Sequence, residues 1–325
     1  MNNLAKQTDL MKPQTRIFLA CLVGALFAGG LGRALAGPLK LDYLPAETRW
    51  AVHWDVERFL QSRIGKTVLE AQLERRLDEG RRKLREKLGL DLDWRKIRSF
   101  TLYGCDYQAP ERAQGVLLVD ADWDLEAAFQ KAIQSGKCDA VLSLGNGLYS
   151  IHKDIFVAAA SGKPAVLGGD REKVEAARRA ILNRKDPLSE DSMLARMLRE
   201  PSGGFLTFAA RRFAEEAQVP PEAQILRMTD ALGGSLAEST DRAVLTVSLR
   251  AKSPEVSRQV EQVVRGLLAL ATLKQDENPD LKELVDNAKI VRSKETVKIR
   301  IAPPLDRILE KLREAVKNMG AGKAP

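Results

Sequence analysis

The chain has 325 residues, 44% of them hydrophobic and 30% charged, with a formal net charge of +8. That apolar share excludes disorder and predicts a packed core, and the length past residue 36 suits one large domain or two modest ones. The positive excess is small and dispersed, as in Glu74-Arg-Arg-Leu-Asp-Glu-Gly-Arg-Arg-Lys83, which excludes a nucleic-acid arm with its charges gathered on one face.

Residues 1–36 read as a secretory signal peptide. Lys6, Lys12 and Arg16 precede an apolar run from Ile17 to about Leu31, and small residues follow at Ala34 and Ala36. At about fifteen residues the run is short of the roughly 20 that a membrane span needs. Cleavage after Ala36 is the expectation; the alternative is an uncleaved N-terminal anchor. Both export residues 37–325 to the periplasm, the envelope or the exterior. Cys21 has only four apolar residues before it, which argues against a lipoprotein. The exported part carries a net charge near +5, enough for weak attraction to anionic envelope polymers or headgroups.

The first folded element is predicted as a strand over 50–56, followed by a long helix from about Thr67 to Leu88. Leu69, Leu73, Leu77, Leu84 and Leu88 fall on one stripe of that helix. Strands are expected at 99–104 and 115–121, the second as an almost continuous apolar run. A helix over 124–135 begins at the cap Asp124. Gly145-Asn-Gly147 between apolar dipeptides signals a hairpin, because both central positions tolerate positive φ. Strands at 155–160 and 165–168 and a helix at 171–182 follow.

A short helix at 190–199 and the breaker Pro201-Ser-Gly-Gly204 separate this part from a second one. There, strands are predicted at 204–210, 224–229, 235–238 and 242–250, with a short helix after the first. The helix 255–273 follows, too interrupted by Arg265 and Gly266 to span a membrane. A helix at 280–287, a hairpin at 290–302 and a helix from Leu305 to about Lys317 close the chain. The strict alternation in 243–251 and 297–301 favours antiparallel sheet over doubly covered parallel strands. The expected fold is α+β, with two modules (37–190 and 200–325) of antiparallel sheet and helices packed on one face. A weak echo between 115–126 and 243–255 is compatible with a distant duplication.

No catalytic, cofactor or metal signature emerges. His53 and His152 are the two histidines, each read as a strand residue with a half-exposed ring, and neither His-Glu-x-x-His nor Cys-x-x-Cys occurs. Ser150-Ile-His-Lys153 matches Ser-x-x-Lys, but on an extended strand its serine and lysine point to opposite faces. Asp120, Asp122 and Asp124 open like a calcium loop, yet Leu125 and Lys131 stand where glycine and glutamate are needed. The glycines at 145 and 147 lie between strands, away from any helix N-terminus. Gly168-Gly169-Asp170 precedes a helix that Asp170 caps, which repels an anion. Cys105 and Cys138 can form a disulfide in an oxidising compartment or remain two inert thiols.

Leu44-Pro-Ala-Glu-Thr-Arg-Trp-Ala-Val-His-Trp-Asp-Val56, Ser62-Arg-Ile-Gly-Lys66 and Phe100-Thr-Leu-Tyr-Gly104 resemble a group of exported bacterial proteins of planctomycete type with no assigned function. The resemblance carries no functional residues. The expected function is a non-enzymatic envelope or extracellular module. It would bind a protein or polymer through a sheet face, a module interface or strand addition, with Trp50, Trp54, Tyr103 and Trp123 as candidate aromatics. A hydrolase of envelope or secreted substrates with dispersed acids is the alternative. No cofactor, nucleic acid or membrane contact beyond the N-terminal segment is expected.

Overall fold

The computed structural model describes residues 37–69, 74–107, 115–136, 141–151, 154–183, 186–199, 203–212, 221–273 and 279–320. The predicted signal, Leu73, Cys138, His152 and Lys153 lie outside the described residues, as does the short helix expected after the strand at 204–210.

The strands are β1 (Trp50–Asp55), β2 (Ile97–Gly104), β3 (Val116–Ala121), β4 (Val141–Gly145), β5 (Leu148–Ile151), β6 (Ile155–Ala158), β7 (Ala165–Gly168), β8 (Leu206–Arg211), β9 (Thr229–Glu238), β10 (Ala243–Ala251), β11 (Ala288–Ser293) and β12 (Thr296–Ile301). The helices are α1 (Val56–Gln61), α2 (Arg63–Val68), α3 (Glu74–Leu88), α4 (Leu125–Gln134), α5 (Arg171–Asn183), α6 (Met193–Arg199), α7 (Pro254–Leu273), α8 (Pro279–Asp286) and α9 (Leu305–Gly320). None of the described helices is long and apolar enough to cross a membrane.

All twelve strands join one sheet in the order β11-β12-β10-β9-β8-β1-β2-β3-β7-β6-β5-β4. Every pairing is antiparallel. The fold is α+β. Strands from residues 50–168 fill one side of the sheet and those from 206–301 the other. The two sides meet where β1 pairs with β8, Trp50 opposite Ala210 and Trp54 opposite Leu206. The two expected sheets are thus fused into one, because β1 uses both of its edges.

Side chains alternate across the pleat, and on the seven-stranded side both faces are covered. Ala51, Tyr103, Val116, Leu118 and Val166 pack beneath α5 and α6. Phe100, Val119, Ala165 and Leu167 face α3 and α4. This double cover explains why 115–121 is apolar at nearly every position. On the other side, Val260 and Val264 of α7 lie over Leu249 and Val297. Phe59 of α1, Ile64 of α2 and Leu305 and Leu309 of α9 form a further core.

Local chemistry sets the element ends. Asp55 caps α1 by accepting from the Arg58 amide at 2.9 Å, and Ser62 caps α2 by accepting from the Gly65 amide at 2.9 Å. In the β4–β5 turn, Asn146 and Gly147 have φ of 51° and 70°, the mirror-image turn that matches strand twist. The helix predicted over 67–88 is realised chiefly as α3, with 70–73 outside the described residues, while α1 and most of α2, over 56–66, were not predicted. The strand predicted at 224–229 is instead a 3-10 helix over Pro221–Met228, which leads into the longer β9. Its Ile225, Leu226 and Met228 are apolar because they pack beside the α7 core.

Candidate functional site

Helix α3 lays Leu77, Leu84 and Leu88 along one face. Between them, where a leucine would continue the stripe, the chain has Gly80 and Arg81. A Cβ built on Gly80 meets nothing within 4 Å. The gap opens into a cavity of about 120 Å³ between α3 and the sheet.

The α3 wall consists of Leu77, Gly80, Arg81 and Leu84, and the next loop adds Leu90, Leu92 and Trp94. The floor is the sheet face carrying Ile97, Phe100, Val119, Val157, Ala165 and Leu167. Trp123, Leu125 and Phe129 close the α4 side. Phe129 is held by stacking on Tyr149, with ring centroids 4.3 Å apart.

The polar atoms at this site are already engaged. The Trp94 indole N–H donates to Asp78 Oδ1 at 3.0 Å, and the Trp123 indole N–H donates to the Asp93 carbonyl at 2.7 Å. Arg81 donates through Nε to Asp91 Oδ1 at 2.6 Å, and its Nη1 lies 3.4 Å from Asp93 Oδ2. Arg95 holds both oxygens of Asp78, at 3.0 and 3.1 Å, reaches Glu74 Oε1 at 2.9 Å, and lies 4.2 Å from the Trp94 ring centre. Hydrogen bonds from Arg95 and Trp94 hold the Asp78 carboxyl below its ordinary range, and Arg81 does the same for Asp91. In return Asp91 raises Arg81, and Asp78 and Glu74 raise Arg95. What is left for an incoming group is hydrocarbon beside a guanidinium gripped by two carboxylates.

The residues singled out in the sequence sit elsewhere, apart from Trp123. His53 is not half-exposed but buried, with 4% of its surface accessible. Its Nε2 lies 3.1 Å from the Gly37 carbonyl and its Nδ1 2.9 Å from Thr101 Oγ1. A carbonyl only accepts, so Nε2 carries the proton and Nδ1 accepts from the threonine hydroxyl. Burial pulls its pKa down to about 4, partly opposed by Asp55 and by the Gly37 hydrogen bond. It is a satisfied, neutral core histidine. No group of three or more His, Cys, Asp or Glu side chains among the described residues is placed to hold a metal.

Asp120 is bound by Lys40 and Arg98, while Asp124 caps α4 through the Ala127 amide at 3.0 Å. Asp170 caps α5 through the amides of Glu172 and Lys173. Ser150 is buried in β5, on a strand rather than a helix. Cys105 carries a free thiol, which burial, with Glu47 and Asp106 nearby, pushes up to about 11.

The candidate aromatics serve packing. Tyr103 is buried, and Trp54 packs against Phe59 and Phe100 at 5.2 and 6.0 Å. Trp50 lies over Gly104, where an added Cβ would come within 2.5 Å of the indole, and its N–H donates to the Asp106 carbonyl at 2.9 Å. Trp123 alone of the four lines the cavity.

No protein-family model matches the chain, and no curated protein sequence does. Three solved structures of TP0453, a Treponema protein, are similar to it. Crystal form III aligns with 10% identity and a TM-score of 0.45 over 86% of this chain and 99% of that one. Crystal form I gives 11% and 0.43 over 87% and 99%, and crystal form IV 13% and 0.42 over 86% and 98%.

Proposed function

We propose that this chain is an exported, non-enzymatic binding module and that the cavity beneath α3 receives a small apolar group. The observation that carries the reading is the interruption of the α3 leucine stripe at Gly80. A helical glycine stands at the wall, and a Cβ added to it would meet no atom within 4 Å. An apolar cavity of about 150 Å³ is known to stay dry and to admit benzene or xenon. A volume of about 120 Å³ is therefore of the right order for a small ring or the end of an alkyl chain.

Burying six carbons at about 0.8 kcal/mol each favours binding by about 5 kcal/mol, which places a free probe near the millimolar range. Stronger binding requires contacts outside the cavity, as with a group attached to a protein or polymer of the envelope. The export part of the proposal rests on the reading of residues 1–36.

The hydrolase alternative needs a carboxyl held above its ordinary range to act as an acid. The carboxyls of Asp78, Asp91, Glu190, Glu255 and Glu261 are all lowered by hydrogen-bond donors. These five are held as anions rather than as acids.

The test is a titration of the full chain with benzene, followed through methyl resonances of the cavity leucines. Saturable shifts that vanish in Gly80→Leu support the reading. Shifts that are absent, or that persist unchanged in the variant, refute it.

A further inference from the structure

The chemical class of the ligand follows from the charges around the cavity, given the reading of that cavity as a ligand site. We infer that the site selects an uncharged alkyl or aryl group and rejects the same group when it bears a carboxylate.

An acid-bearing ligand needs an accessible cation or hydrogen-bond donor at the mouth. Arg81 is the one cationic side chain in the wall among the described residues, and Asp91 and Asp93 already hold it from two sides. The neighbouring guanidinium, Arg95, is occupied by Asp78 and Glu74. Four carboxylates thus contact two guanidiniums. Arg85 and Lys131 act on Asp91 through space and balance the local charge, but neither lines the cavity.

The other donors near the cavity are the two indole N–H groups, each with a protein acceptor at 3.0 Å or less. A carboxylate entering here would lose its water and find as donors only the remaining N–H groups of Arg81, whose charge Asp91 and Asp93 already offset. A cationic group has the opposite problem. The carboxylates that attract it are paired outside the hydrocarbon wall, so its charge would have to enter an apolar space. A neutral hydrocarbon meets neither penalty.

The experiment compares benzene with benzoate at neutral pH on the full chain, reading the methyl resonances of Leu77, Leu84 and Ile97. The expected result is saturable shifts with benzene and at least tenfold weaker affinity for benzoate. Asp91→Asn, which releases Arg81 on one side, should raise the affinity for benzoate severalfold and leave that for benzene unchanged. Benzoate binding as tightly as benzene, in a manner that Gly80→Leu abolishes, overturns the class assignment but leaves the site standing. Failure of both ligands to shift these resonances overturns the site as well.

Discussion

Replacing Gly80 separates a cavity kept open by its glycine from one that is merely unfilled. The residue lies inside α3, and its φ is not in the left-handed region. Alanine therefore adopts the same backbone, and its Cβ meets no atom within 4 Å. The exchange should stabilise the fold by about 1 kcal/mol through helix propensity alone. For a chain of this size that is a rise in Tm of about 2 °C.

Gly80→Leu goes further. An enclosed cavity costs about 24 cal/mol per Å³, which for about 120 Å³ sets a ceiling of about 3 kcal/mol that the opening to solvent lowers. A leucine that fills it should recover part of that sum, giving a variant more stable than Gly80→Ala but closed to benzene. Urea unfolding of the three chains, monitored by tryptophan fluorescence, measures the order. If Gly80→Leu is less stable than the parent, the space beyond Cα is not the cavity and the reasoning fails.

Three other outcomes are expected. His53 titrates at about 4 when folded and at about 6.5 when unfolded, so between these values the unfolded chain alone takes up the proton. Stability is then full above about pH 6.5 and falls as the pH drops toward 4, by about 3 kcal/mol in all; His53→Asn should flatten that slope in urea titrations across the window. Gly104→Ala should cost about 1–3 kcal/mol, since its Cβ would strike the Trp50 indole, and an unchanged midpoint of unfolding would contradict the contact. The Cys105 thiol, pushed up to about 11, should alkylate at pH 7.5 far more slowly than an exposed thiol, as peptide mass spectrometry of iodoacetamide-treated native protein will show.

Local patterns in the sequence carried far because most elements here have local causes. Gly145-Asn-Gly147 specifies its turn by backbone freedom, and the caps at Asp124 and Asp170 mark helix starts by their own hydrogen bonds, whereas the helix that Asp55 caps directly after β1 was not predicted. The stretch 221–228 was misread because a short apolar run suits a strand or a turn of helix equally, and only its packing beside α7 decides. The union of β1 with β8 was invisible for a different reason. It pairs segments remote in sequence, and neither strand advertises its second neighbour.

The cavity was half legible. Leu77, Leu84 and Leu88 announce a buried helix face, and the missing leucine between 77 and 84 was there to be seen. What turns that omission into a site is the pairing of Arg81 with Asp91 and Asp93, and of Arg95 with Asp78. Those contacts depend on where the loop after α3 returns. The packing of the candidate aromatics was hidden for a related reason: Trp50 and Trp54 share one face of β1, and what meets them there, Gly104 for Trp50 and Phe59 and Phe100 for Trp54, lies on other elements.

The seam between β1 and β8 also governs the order of assembly. During synthesis β1 emerges roughly 150 residues before the strand that will flank it, and such distant closure is slow. Until β8 arrives, the growing half-sheet is bordered at β1 by unsatisfied backbone amides and carbonyls, a surface prone to mispairing. A chain truncated before residue 206 should therefore clump rather than stay dissolved, although it retains the complete cavity wall.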